Sequence, residues 1–205
     1  MSRTKTPTAV VFDIGNVLIG WDPRNLYQKR IPDEEELSWF LEEVVNLAWH
    51  TEHDRGLSFT KGCENRSKLF PEYRDLIHLF KSHWRDTITG PMEGSVLLLK
   101  RLSDKGVPLY ALSNYSAETF PDMLAEFSFM DAFDDIVISG SVGHVKPEAE
   151  IFKLAMAKFN LSAGQALFVD DRQENIDAGQ AHGLVPHLFT SAEKLELDLL
   201  KFGLL

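Results

Sequence analysis

Ala9-Val10-Val11-Phe12-Asp13-Ile14-Gly15-Asn16-Val17 is the stretch on which the reading of this chain turns. A short run of β-type apolar residues stops at a carboxylate and is followed by a glycine. Such a run places its terminal polar residue at the C-terminal edge of a parallel sheet, where α/β proteins gather their chemistry. Asp13 is therefore the candidate nucleophile. Gly15 is equally informative, because a second carboxylate two residues after the first could have served as a proton donor.

Working outward, apolar β-type runs recur at Val107 to Leu112, Asp135 to Ile138, Ala166 to Val169 and Val185 to Leu188, with helical patterns between them. That alternation implies an α/β fold built on a parallel sheet with right-handed crossovers. Pro147 suits the first turn of a helix, and Thr190 with Glu193 reads as a capping box before the last helix. From Trp21 to Gly90 the alternation breaks. Leu37, Phe40, Leu41, Val44, Val45 and Leu47, then Leu69, Leu76, Leu79 and Phe80, fall at helical spacing and predict three or four helices. Three of the four tryptophans lie in this segment and Trp21 stands at its entrance. They are expected to form the core of a helical subdomain, with Trp21 or Trp49 as candidates to line a pocket.

Composition narrows the field. The 205 residues include 21 Lys plus Arg against 31 Asp plus Glu, a formal charge of −10, so no basic stripe for nucleic acid is expected. The single cysteine, Cys63, cannot form an internal disulfide, and no apolar run has the length of a membrane span. Residues 1–7 carry no apolar signal core, and the expected location is cytoplasmic. His182 and His187 have no third ligand at metal spacing, so zinc is not expected.

Four polar features follow strands or open helices: Asp13, Leu112-Ser113-Asn114-Tyr115, Gly143-His144-Val145-Lys146-Pro147, and Phe168-Val169-Asp170-Asp171 followed by Asn175. A parallel sheet would bring all of them to one edge. In order, type and spacing the chain resembles the haloacid dehalogenase (HAD) superfamily, whose motifs are a nucleophilic Asp, a Ser or Thr, a Lys and a closing acidic pair. The wording FDIGNVL, LSN, KPEAEIF and VDDRQEN is most similar to the branch of glucose-1-phosphate phosphatases and the N-terminal phosphatase domain of soluble epoxide hydrolases. The resemblance implies a Rossmann-like parallel-sheet core over residues 1–20 and 91–205 and an inserted helical cap over 21–90.

It also implies a phosphatase acting on a small phosphorylated metabolite, with Asp13 attacking phosphorus and Lys146 offsetting the charge. Ser113, Asn114 and Lys146 are the expected phosphate contacts, together with backbone N–H groups near Ile14, Gly15 and Asn114. Mg2+ is the expected cofactor, held by Asp13, the Gly15 carbonyl and Asp171, with Asp170 as a further ligand or as an acceptor for its water. Asn175 either steadies the acidic pair or caps a helix.

Most phosphatases of this superfamily carry Asp where this chain has Gly15. General acid catalysis is worth about 10²–10⁴ in rate, so its loss must be met elsewhere. A leaving group that departs with little protonation, such as a sugar 1-phosphate, is one route. A donor at Asp22, at His144 or in the stretch His50, Glu52, His53, Asp54, Arg55, Gly56 is the other. Two rival readings use the same fold: a metal-independent 2-haloacid dehalogenase, disfavoured by Asp170-Asp171, and a binding module that has lost turnover.

Overall fold

The structure, a computed structural model, describes residues 6–205; the first five residues of the expected core segment lie outside the described residues. The opening run forms β1 (Ala9–Phe12), buried along its whole length. Its side chains alternate between two apolar clusters, Val10 and Phe12 on one face and Ala9 and Val11 on the other. A strand with both faces covered is what an uninterrupted apolar run encodes. The remaining strands are β2 (Ile19–Trp21), β3 (Ile88–Pro91), β4 (Leu109–Ser113), β5 (Asp135–Ile138), β6 (Ala166–Asp170) and β7 (Val185–Leu188). Five of them form one parallel sheet in the order β5-β4-β1-β6-β7, while β2 and β3 pair as a separate antiparallel ribbon.

The helices are α1 (Arg24–Tyr27), α2 (Glu34–Trp39), α3 (Leu47–Asp54), α4 (Phe59–Leu69), α5 (Arg74–His83), α6 (Glu93–Asp104), α7 (Phe120–Glu126), α8 (Ser139–Val142), α9 (Ala149–Lys158), α10 (Gln173–Ala181) and α11 (Ala192–Lys201). Leu98, Leu99 and Leu102 of α6 and Leu195 and Leu199 of α11 cover one face of the sheet. Ile151, Phe152 and Ala155 of α9 and Ile176 of α10 cover the other. A third cluster, including Leu26, Tyr27, Phe40, Trp49, Cys63 and Phe80, lies wholly among the helices between β2 and β3.

Several sequence expectations shift by a residue or more. β4 starts at Leu109, because Val107 still belongs to the end of α6: Gly106, at φ 71°, turns the chain so that the Val107 N–H reaches the Leu102 carbonyl. Pro147 precedes α9 instead of entering it, since Glu148 is extended and takes the N-cap position. Ser191, not Thr190, caps α11, its hydroxyl accepting the Lys194 N–H at 3.3 Å. One turn of π-helix, Phe40–Val44, follows α2 and carries Phe40 and Val44 into the helical cluster. Trp39, Leu47 and Leu69, expected in that cluster, lie outside it with exposed side chains.

Candidate functional site

The parallel register ends β1, β4 and β6 at the same edge, because Phe12 pairs with Ala111 and with Val169. Asp13, Ser113 and Asp170 therefore meet there, the first two 100 residues apart in sequence. One oxygen of Asp13, Oδ1, accepts the Ile14 N–H at 2.7 Å and the Ser113 hydroxyl at 2.7 Å, and Lys146 Nζ stands 3.0 Å from it. Lys146 also donates to Asp170 Oδ2 at 2.6 Å, so one buried ammonium joins two buried carboxylates.

Asn114 and Asn175 hold this arrangement in place. The Asn114 side chain accepts the Lys146 N–H at 2.7 Å and donates to the Lys146 carbonyl at 3.0 Å, which fixes the backbone that carries the ammonium. Its amide is thus occupied, and its backbone N–H is the group that remains for a phosphate. The Ile14 N–H, expected to face a phosphate, is engaged by Asp13 itself. Asn175 Nδ2 donates to both oxygens of Asp170, at 2.9 and 3.2 Å, and the Arg172 N–H adds a third donor at 2.9 Å. Asn175 therefore holds Asp170, the first of the acidic pair. Asp171 is less buried than Asp170 and faces the cavity described below.

The electrostatics call for another cation. Burial, reinforced by the charge of Asp170 and opposed by Lys146, pushes Asp13 up to about 7. Burial and Asp170 likewise raise Asp171 above the usual carboxylate range. Lys146 lies above its ordinary value despite burial, because Asp13 and Asp170 hold its proton. Asp13, Asp170 and Asp171 each offer an oxygen, and these lie within 4.8 Å of one another. Three carboxylates with a single ammonium are short of positive charge, and an all-oxygen donor set suits a hard divalent ion such as magnesium. The residues present fit that ion. Asp170 is the most committed of the three, since both its oxygens already accept donors.

A cavity of about 440 Å³ opens over this edge, with Asp13, Gly15, Asn114, Lys146 and Asp171 on its floor. Its walls are mainly apolar and largely from the helical segment, with Trp21, Leu47, Phe59, Phe80, Trp84 and Ile88, and His50, Thr51, His53, Asp54 and Thr87 set among them. Of the two tryptophans expected as candidates, Trp21 lines it; Trp49 packs against His50, His53 and Phe80. Leu47, Phe59, Phe80, Trp84, Ile88 and Tyr115 were not legible as wall residues, because an apolar side chain facing a cavity has the sequence pattern of one facing a core. Cys63 is buried, with its thiol pushed up to about 11, and takes no part.

Known proteins share the family pattern and the fold. The model of the haloacid dehalogenase-like hydrolase family matches residues 7–183. The chain is 28% identical over 182 residues to a sesquiterpene phosphatase of Aspergillus oryzae, covering 86% of this chain and 87% of that one. It is 25% identical over 207 residues to a ribulose-1,5-bisphosphate 5-phosphatase of Halopiger xanaduensis, covering 91% and 86%. A HAD family enzyme of Bacteroides thetaiotaomicron, solved with magnesium and inorganic phosphate, shares the fold at a TM-score of 0.69 and 19% identity, over 90% of this chain and 94% of that one. With four motifs converging on one sheet edge and the family match spanning most of its length, this chain belongs to the haloacid dehalogenase-like hydrolases.

Proposed function

We propose that this hydrolase is a magnesium-dependent phosphatase that carries the phosphoryl group on Asp13 during turnover. The observation that supports this most is the one-sided grip on Asp13: the Ile14 N–H, the Ser113 hydroxyl and the Lys146 ammonium all converge on Oδ1, which leaves Oδ2 to a ligand. The carboxylate attacks phosphorus, the bond to the leaving oxygen breaks, and water then takes the phosphoryl group from Asp13. Lys146 offsets charge that spreads over the phosphoryl oxygens, while the Ser113 hydroxyl, which donates its one proton to Asp13, holds the nucleophile in place. Asp13, Asp171 and the Gly15 carbonyl would hold the magnesium, and Asp170 would mainly orient Lys146. When bound, the ion supplies the positive charge that lets a carboxylate and a phosphate dianion approach.

The division into a core over 1–20 and 91–205 and a cap over 21–90 belongs to the same reading, since the helical segment furnishes most of the apolar wall. That wall, apolar over most of its lining, favours a phosphate ester whose organic part is largely apolar. The substrate named for the Aspergillus oryzae relative is of that kind. A sugar 1-phosphate, the choice suggested by Gly15 alone, is the comparison.

The test is a panel of prenyl, alkyl and sugar phosphates, assayed with and without magnesium beside Asp13→Asn. Phosphate release should require magnesium, favour the apolar esters in kcat/KM, and fall by at least about 10³-fold in D13N. Turnover at the wild-type rate in D13N contradicts the assignment. Halide release from 2-haloacids without metal would instead support the dehalogenase reading.

A further inference from the structure

Gly15 leaves the reaction without a proton donor next to the nucleophile, and the space there is open: a Cβ built on Gly15 meets no heavy atom within 4 Å. The candidates elsewhere separate by position. Asp22 is exposed, accepts the Arg24 N–H at 2.8 Å and does not line the cavity. His144 is half-buried, stands 3.6 Å from Glu148 and is also outside the wall. Glu52 and Arg55 are exposed and outside it too. His50 and His53 do line the cavity, yet burial holds both below the usual imidazole range, His50 at about 3, so neither carries a proton to give near neutral pH.

Asp54 is different. It is the last residue of α3, it lines the cavity that holds Asp13 and Lys146, and no hydrogen bond among the described residues contributes to its state. Two ties fix the chain around it to the sheet edge. Arg55 pairs with Glu148 at 2.5 Å, and Glu148 in turn accepts the N–H of Val145, the neighbour of Lys146, at 3.2 Å. Phe59 N–H donates to Glu118 at 2.8 Å. Between them the chain turns at Gly56, where φ is +103° and a Cβ would stand 3.4 Å from the Gly140 carbonyl oxygen.

We infer that Asp54 is the general acid and base of this site, replacing from the helical segment the carboxylate that Gly15 lacks. The inference rests on the phosphoryl-transfer reading above. The Asp54 carboxylic acid gives its proton to the leaving oxygen as the P–O bond breaks. The resulting carboxylate takes a proton from the water that attacks phosphoryl-Asp13, and the acid is restored with inorganic phosphate released. Burial and the charge of Asp13, opposed by Lys146, push this carboxyl up to about 7, where both forms coexist.

The test compares leaving groups in Asp54→Asn. An alkyl phosphate needs protonation of its leaving oxygen, whereas p-nitrophenyl phosphate does not. D54N should lose about 10²–10⁴ in kcat/KM on the alkyl ester and less than about tenfold on the nitrophenyl ester. It should also release nitrophenolate in a burst equal to the enzyme, because water attack on phosphoryl-Asp13 has lost its base. Binding of inorganic phosphate in the presence of magnesium should match the wild type, and Asp54→Ser should show the same split. Equal losses on both esters, or no loss on the alkyl ester, overturn the role of Asp54. Full activity in D13N would overturn the phosphoryl-transfer reading instead, so the two failures are distinguishable.

Discussion

Three segments meet on a single oxygen of Asp13, and Lys146 is the one cation among them. Buried carboxylates are tolerated only when paired and hydrogen-bonded, which explains why Asn114 fixes the backbone of Lys146 and Asn175 fixes Asp170. His50 shows the opposite condition. It packs edge-on against Trp21 and beside Trp49 and Phe80, its Nε2 has no partner among the described residues, and burial holds it at about 3 against an ordinary 6.5. Above 6.5 both folded and unfolded chains carry it neutral. Below 6.5 the unfolded chain takes up a proton that the folded chain refuses, so stability falls with acidification. From pH 6.5 to 5 the wild type should lose about 2 kcal/mol more than His50→Phe, which keeps the aromatic packing without the titration. Denaturant unfolding at the two pH values checks this, and parallel pH curves would contradict it.

At the scale of elements, strands were more legible than helix ends. Short β-type runs bounded by polar residues mark all five strands of the main sheet near their observed places, most clearly β1 and β6, which are buried throughout. Helix ends depend on partners distant in sequence. Glu148 stands at the N-cap position of α9, but its side chain is drawn to Arg55, 93 residues earlier, and no local pattern around Pro147 encodes that contact. The π-helical turn at Phe40–Val44 was illegible for the same reason, since the helical cluster decides which way Phe40 and Val44 face. The junction between α3 and the core carries its own expectation. The Arg55–Glu148 pair is half exposed, at 46% and 32% of the side chains, and such pairs contribute about 0–1 kcal/mol. Arg55→Met should therefore leave the melting temperature nearly unchanged while lowering kcat/KM by about tenfold, because the pair fixes where Asp54 stands. A stability loss without a kinetic one would assign the pair to folding alone.

Across the whole molecule, the sheet order places β1 between β4 and β6 and so brings every motif to one edge. That convergence was legible because polar residues at the ends of apolar strands have no other common destination in a parallel sheet. The floor of the site could be read from sequence, and its apolar wall could not. The net charge of −10 says nothing of this locality: a buried ammonium and a cluster of three carboxylates suited to a divalent ion define the site instead. Among the described residues no helix is long and apolar enough to cross a membrane. The reaction assigned to this edge requires one covalent species, phosphoryl-Asp13. Acid quenching during turnover of a phosphorus-labelled ester in the presence of magnesium, followed by peptide mapping, looks for it directly. Label on the peptide that contains Asp13, lost when unlabelled substrate is chased in, is the expected result; turnover with no label on that peptide, or with label on another residue, would contradict it.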